Sequence, residues 1–460
     1  MPLLLTGVAG TSCVASAVPA AARQPASSCT GYRPPDPNRP AVTLGFAVGP
    51  DHRTVTGREH IVFRPDREIR ELVFRLWPNG PEGGRTHASL TVLDARVEGR
   101  RSRLHLMSAG GRPGTQGTLL SLPLPAPAPA GTPVNADLSF TVRLPPPSWD
   151  RMGSDGQTAW WASAHPMLAW QSGVGWTRDP ASPLPGETAT SEAAATDVTV
   201  TAPANDQVLT GGLADPPQPA PGGRRRWHFR APTARDVAVA VGPFRLTSAQ
   251  IAVPAGPPVA VTVAVAPRLS WAGPDVLAEV RRALPRLAAQ FGPVPFPALR
   301  LAGLPGLIPS GIEYPAMMLL LGSRPPQDIV THELAHQWFY ALVGNNQARD
   351  PWLDEAFATY AETLLDTPPV NDTPWFTAAG RVGASMASFG TDYPRYTDLA
   401  YDQGAAALRT ARQRAGPAFD TAVRCYLTDL AWQIATPADL AAHLRHLPAA
   451  LAILRQAGAL

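Results

Sequence analysis

Lysine is absent from this chain. All 39 residues counted as Lys+Arg are arginine. A phosphate-binding P-loop needs its lysine, and Schiff-base or pyridoxal-phosphate enzymes need a lysine amine, so these chemistries are excluded. Cysteine is almost as scarce. Cys13, Cys29 and Cys425 allow at most one pair and one odd thiol, too few for a disulfide framework or a cysteine-rich zinc site. Spacing leaves open whether Cys29 and Cys425 pair. No uninterrupted apolar run reaches the ~18–20 residues of a membrane helix, so no stable membrane span is expected. Strong charge of one sign is missing too: 39 basic against 36 acidic residues leave a net +3. The arginines are scattered, which gives nucleic-acid binding no support. The short runs at 100–103 and 224–226, beside glycine-rich turns, read as solvated loops. The chemistry is left to carboxylates, His, Tyr, Ser, Cys or a metal.

What the chain has in excess is proline (53) and glycine (39). With 460 residues, two or three domains are expected. Residues 1–22 are small and apolar, and their Ala20-Ala21-Ala22 end fits a secretory cleavage site, although no basic residue precedes the apolar stretch. They read as a signal peptide; a lipid anchor at Cys13 and an Ala-rich tail are the alternatives. A secreted or cell-surface protein follows from the first reading. Residues 23–39 read as a disordered linker. From 40 to 252, short alternating runs such as 138–144, 197–201 and 236–241 are broken by Pro/Gly clusters, the pattern of antiparallel sheets with one buried face. Within this half the Pro-rich stretches 123–133 and 216–223 read as loops. Trp149, Trp160, Trp161, Trp170 and Trp176 are either core packing or an aromatic wall. From 253 to 460 the text becomes mainly helical. Residues 274–291 carry Val276, Leu277, Val280, Leu284, Leu287 and Ala288 at helical spacing.

The decisive stretch is Thr331-His332-Glu333-Leu334-Ala335-His336, within a helix expected over 327–343. Two histidines four apart share a helix face and can meet one metal ion, while Glu333 sits where its carboxylate reaches a water on that metal. A second helix, with Asp350 as cap and Pro351 in its first turn, carries Glu355 nineteen residues after His336. A turn between antiparallel helices returns it to the metal as third ligand. Two imidazoles and a carboxylate around an open position suit one Zn2+ better than copper or calcium, with other divalent ions left open by spacing alone. His443 and His446, three apart on an expected C-terminal helix and near enough to pair, read as a solvated helix face, with no acidic or Cys partner taken to accompany them.

These residues resemble the aminopeptidase N family of zinc metallopeptidases, within the gluzincins, whose signature is His-Glu-x-x-His, eighteen residues, then Glu. The segments His332-Glu333-Leu334-Ala335-His336-Gln337-Trp338-Phe339 and Trp352-Leu353-Asp354-Glu355-Ala356-Phe357-Ala358 resemble its two helices, with Asp354 and Ala356 where Asn and Gly are common. Ser310-Gly311-Ile312-Glu313-Tyr314 is similar to its Gly-x-Met-Glu-Asn edge strand. The resemblance implies that Gly311 and Glu313 bind substrate, Glu313 holding the free amino group. Tyr401-Asp402-Gln403-Gly404 resembles its Tyr-Glu-Lys-Gly segment, implying that Tyr401 assists catalysis beside Glu333. The implied fold is α+β and multidomain: an antiparallel β-sheet domain (40–252), then a thermolysin-like, mainly helical catalytic domain (253–460), without the large C-terminal helical domain of many members. The implied activity is aminopeptidase action on peptide substrates. An oligopeptidase or endopeptidase without a free-amine requirement, and a silent peptide-binding module, are the alternatives.

Overall fold

The structure, a computed structural model, describes Cys29 and residues 31–109, 117–147, 151–184, 186, 189–306, 310–323, 327–365 and 380–460. The expected signal peptide 1–22, Cys13 within it, and Trp149 lie outside the described residues.

Period-two alternation builds the first half as expected. The strand Val134–Arg143 buries Val134, Ala136, Leu138, Phe140 and Val142, while Asp137 and Arg143 are exposed. It belongs to a nine-stranded sheet in the order Leu213–Ala214, Arg224–Ala234, Ala194–Pro203, Ala41–Val48, Thr54–Phe63, Val134–Arg143, Ser89–Val97 and Arg100–Arg101, with Gln218–Ala220 also paired to Arg224–Ala234. Ala41–Val48 runs parallel to Ala194–Pro203, a departure from the expected antiparallel pattern. Trp160, Trp161 and Trp170 are fully buried, which settles them as core.

Four loop assignments need correction. The proline-rich text from 123 lies largely in the strand Leu119–Ala128. Its first residues pair on both sides, but from Pro123 onward only Ile69–Arg75 is alongside, so the missing proline donors face an open edge. Arg100–Arg101 and Arg224–Arg226 are likewise on strands, and 216–223 forms a hairpin onto Arg224–Ala234.

The second half is built on a five-stranded sheet ordered Arg245–Ile251, Val259–Val265, Ala298–Leu304, Met317–Leu321 and Ser310–Tyr314. Arg245–Ile251 pairs along its whole length with Val259–Val265, so this sheet starts at 245 rather than near 253. The strand alternates like those before it, so no change of pattern marks the passage. The helix Gly273–Phe291 buries all six residues that its spacing singled out, at roughly 1.5–3 kcal/mol for each of the larger side chains. It packs against the sheet and the histidine helix and shares one core with the helix that carries Glu355. Among the described residues no helix is long and apolar enough to cross a membrane.

The expected disordered linker is ordered where described. Cys29 is disulfide-bonded to Cys425, the Arg33 N–H donates to the Thr428 carbonyl (3.1 Å), and the Tyr32 hydroxyl donates to the Pro293 carbonyl while accepting from Trp338 Nε1 (3.0 Å). Arg39 then reaches the Pro232 carbonyl (2.9 Å). Residues 31–40 are thus a strap laid across both halves. Its composition misled because proline-rich text lacks periodicity whether or not tertiary contacts hold it.

Candidate metal centre and substrate edge

The histidine helix spans Gln327–Ala335 and ends sooner than expected. The His336 N–H still donates to the His332 carbonyl (3.2 Å), so both imidazoles face the same side with ring centroids 4.7 Å apart. The chain then turns tightly. Ala341, Leu342 and Val343 donate five residues back to His336, Gln337 and Trp338, and Tyr340 takes φ of 123°, a conformation rare for a side chain of its size. This turn aims the Phe339 carbonyl at His336, whose Nδ1 donates to it (3.0 Å).

The glutamate helix spans Trp352–Thr363, with Pro351 at its cap position and no side chain capping it. Asp350 was expected to cap; instead its carbonyl accepts from the Leu353 N–H (3.2 Å) and from Asn345 Nδ2 (2.9 Å). Glu355 and Glu362 are two turns apart on one face. Glu355 Oε2 lies 3.2 Å from His332 Nε2 and 3.4 Å from His336 Nε2, and Glu362 accepts from His332 Nδ1 at 2.7 Å. Both histidines therefore commit Nδ1 as a donor, which leaves each Nε2 lone pair for a cation. The ligand atoms of His332, His336 and Glu355 all fall within 4.8 Å of one another. Two imidazole nitrogens and one carboxylate, each imidazole oriented by a further partner, fit zinc with a position left for water.

A second acidic cluster shares His336: atoms of Glu313, Glu333 and His336 also lie within 4.8 Å of one another. Glu313 is buried on Ser310–Tyr314, the edge strand of the sheet, whose other side has no strand partner among the described residues. Glu333 is buried, and its Oε2 has no hydrogen-bond partner. Gly311 provides its space, since a Cβ there would stand 2.2 Å from Glu333 Oε1.

Charge is balanced tightly. Burial pushes Glu333 up to about 7 against the pull of His332 and His336. Burial also disfavours ionised Glu355, but the two imidazoles outweigh it and hold this carboxyl at about 2. Asp354 is raised to about 7 by burial and by neighbouring Glu355, although Gln347 and Asn345 both donate to it. Tyr401 sits in a π-helical turn, Thr397–Gln403, with its ring stacked parallel to His332 at 5.8 Å. Burial and the charge of Glu355 raise its pKa well above the usual value, so the phenol keeps its proton at neutral pH. Its hydroxyl lies 3.4 Å from that of Tyr396. A Cβ at Gly404 would fall 2.6 Å from that of Ala356, so glycine allows this helix to approach the glutamate helix.

All seven expected residues, His332, Glu333, His336, Glu355, Tyr401, Glu313 and Gly311, meet in one place. Sequence reading missed Glu362, although its seven-residue offset from Glu355 is the signal that would have found it. It also missed Gln337, which accepts from the Ala316 N–H (2.9 Å) and donates to the Tyr314 carbonyl (3.2 Å), tying the edge hairpin to the histidine helix. No periodicity marks that role. His443, expected on a solvated face, is half-buried and lies 3.3 Å from Asp429, an acid fourteen residues away.

Comparison with known proteins agrees with this geometry. Residues 321–373 match the peptidase family M1 domain. Aminopeptidase B of Rattus norvegicus is 35% identical over 83 residues, which are 17% of this chain and 13% of that protein. Membrane alanyl aminopeptidase of Heliothis virescens is 31% identical over 139 residues, 24% of this chain and 13% of its own length. The matches thus span about an eighth of these relatives. The whole chain is similar in fold to a mutant two-domain M1 zinc metallopeptidase bound to L-arginine, at TM-score 0.68 and 20% identity over 91% of this chain and 93% of that one. The M1 zinc metallopeptidase of Deinococcus radiodurans aligns at TM-score 0.64 and 19% identity, covering 90% and 93%. The signature helices thus resemble peptidase family M1, the aminopeptidase N-like gluzincins, in sequence, and both halves resemble two-domain M1 zinc metallopeptidases in fold.

Proposed function

We propose that this protein is a zinc-dependent aminopeptidase that removes single residues from the N-termini of peptides. The observation that carries the reading is the pair of overlapping clusters: the His332, His336 and Glu355 donor set, with Glu313 and Glu333 gathered against His336 on the substrate edge. A zinc ion held by those three residues supplies a Lewis acid that activates water and polarises a peptide carbonyl. Glu333, buried beside His336, takes a proton from the attacking water and returns one to the leaving amine. Tyr401 donates its O–H to the oxyanion. Peptide aligned along Ser310–Tyr314 presents its ammonium to Glu313. Because Glu313 is this close to Glu333, only one residue fits between the ammonium and the bond cut. A structure of the same fold holds a Tyr-Ser-Ala substrate, which supports a short peptide as the ligand. The Cys29–Cys425 bond supports an oxidising compartment, hence secretion or a cell-surface location.

The test compares a free-amine peptide with its acetylated twin, each with and without chelator. Chelator-sensitive cleavage of the free amine alone is expected; equal cleavage of both would establish an endopeptidase or oligopeptidase instead. Glu333→Gln should keep its metal and lose turnover. No hydrolysis by the zinc-loaded wild type would leave a peptide-binding module.

A further inference from the structure

Between His336 and Glu355 the chain passes over a buried arginine that belongs to the other half of the molecule. Arg235 follows the strand Arg224–Ala234 and is 5% exposed. Its guanidinium donates to the Ser191 carbonyl (3.1 Å) on its own side, and across the boundary to the carbonyls of Gln433 (3.4 Å) and Leu342 (3.5 Å). The fit against Gly344 is close, since a Cβ there would stand 2.4 Å from the guanidinium carbon.

The two segments gripped by Arg235 are joined to each other and are strained. The Trp432 N–H donates to the Leu342 carbonyl (2.6 Å) and the Gly344 N–H to the Gln433 carbonyl (2.9 Å), and Gly344–Asn345 pairs in parallel with Ile434–Ala435. Tyr340 and Trp432, one in each segment, have φ of 123° and 67°. Such conformations persist where surrounding contacts enforce them. Both ends of the gripped stretch lead to expected metal ligands. Upstream, the 339–343 turn presents the Phe339 carbonyl that orients His336 Nδ1. Downstream, Asn345 Nδ2 donates to Asp354 Oδ1 (2.9 Å), which also accepts from the Glu355 N–H (3.0 Å).

We propose that Arg235 is a positioning residue for the metal centre, through which the N-terminal β half sets the orientation of His336 and Glu355. This rests on the zinc reading above, and zinc affinity measured without substrate tests it. Arg235→Met should weaken zinc binding 10–100-fold in competition with a chromophoric chelator, the range for lost outer partners of metal ligands. Arg235→Lys, which keeps the charge but not the planar fork, should recover part of that loss. The control is Arg300→Met. Arg300 also crosses between the halves, to the carbonyls of Thr210 (2.8 Å) and Gly212 (2.7 Å), but its guanidinium grips neither the 339–343 turn nor the 432–435 segment. It should lower the melting temperature and leave zinc affinity unchanged. Equal zinc affinity in wild type and Arg235→Met overturns the proposal, as does an equal loss in Arg300→Met, which would signify general loosening. Should Arg235→Met fail to fold, Arg235→Lys decides: weaker binding supports the role and unchanged binding overturns it. A wild-type chain that binds no zinc removes the underlying reading and this proposal with it.

Discussion

A single methyl group is enough to fill the space above Gly311. Because a Cβ there would meet Glu333 Oε1 at 2.2 Å, Gly311→Ala must displace the carboxylate while leaving His332, His336 and Glu355 untouched. Zinc content by mass spectrometry should be unchanged and kcat should fall by roughly 100-fold, the scale of an ångström's misplacement of a reacting group. The metal ligands proposed above were legible because helical spacing is a strong constraint: four residues from His332 to His336 dictate a shared face. Gly311 was legible only through resemblance, and its steric role emerged from the fold. Glu362 obeys the same helical arithmetic as Glu355 and was readable in principle. Gln337 and Asp429 were not, because a buried polar side chain is defined by what it touches, and those partners are distant in sequence.

Elements are held in register here by side chains that reach into neighbouring turns. Gln337 satisfies one backbone donor and one acceptor of the hairpin behind Glu313. Gln337→Met keeps the volume and orphans both, which should lower stability by about 2–6 kcal/mol in urea titrations. A loosened Glu313 strand should also raise KM for free-amine peptides. His52 ties the turn after Ala41–Val48 to Asp206, in the turn after Ala194–Pro203, at 2.7 Å. Its pKa is raised by the Asp206 hydrogen bond, with burial opposing. A histidine raised in the folded state contributes stability that is fully present below its unfolded value of about 6.5 and lost as pH climbs through the folded value. The urea midpoint should therefore decline as pH rises above about 6.5, and His52→Gln should remove this part of the slope. Strand alternation and the 274–291 periodicity predicted elements well. Prolines on an open strand edge and the early end of the histidine helix escaped, because pairing partners and a carbonyl-turning bend decide them.

At the scale of the whole molecule, composition misplaced what tertiary contacts decide. The boundary near 253 failed because Arg245–Ile251 alternates like the strands before it yet pairs with those after it. The strap was invisible because a proline-rich segment carries no pattern until Tyr32 is seen against Trp338. Its disulfide spans 396 residues of sequence. Loop-closure arithmetic for that length gives up to about 6 kcal/mol of stabilisation, so reductant, or Cys29→Ser, should lower the melting temperature and the denaturant midpoint together. The same bond makes almost the entire polypeptide a covalent ring. One backbone cut by a protease anywhere between the two cysteines opens that ring without dividing the molecule. Singly nicked protein should run as one species on a denaturing gel without reductant and as two fragments with it, so the half that carries the histidines stays physically joined to the β half after damage that would part an ordinary chain.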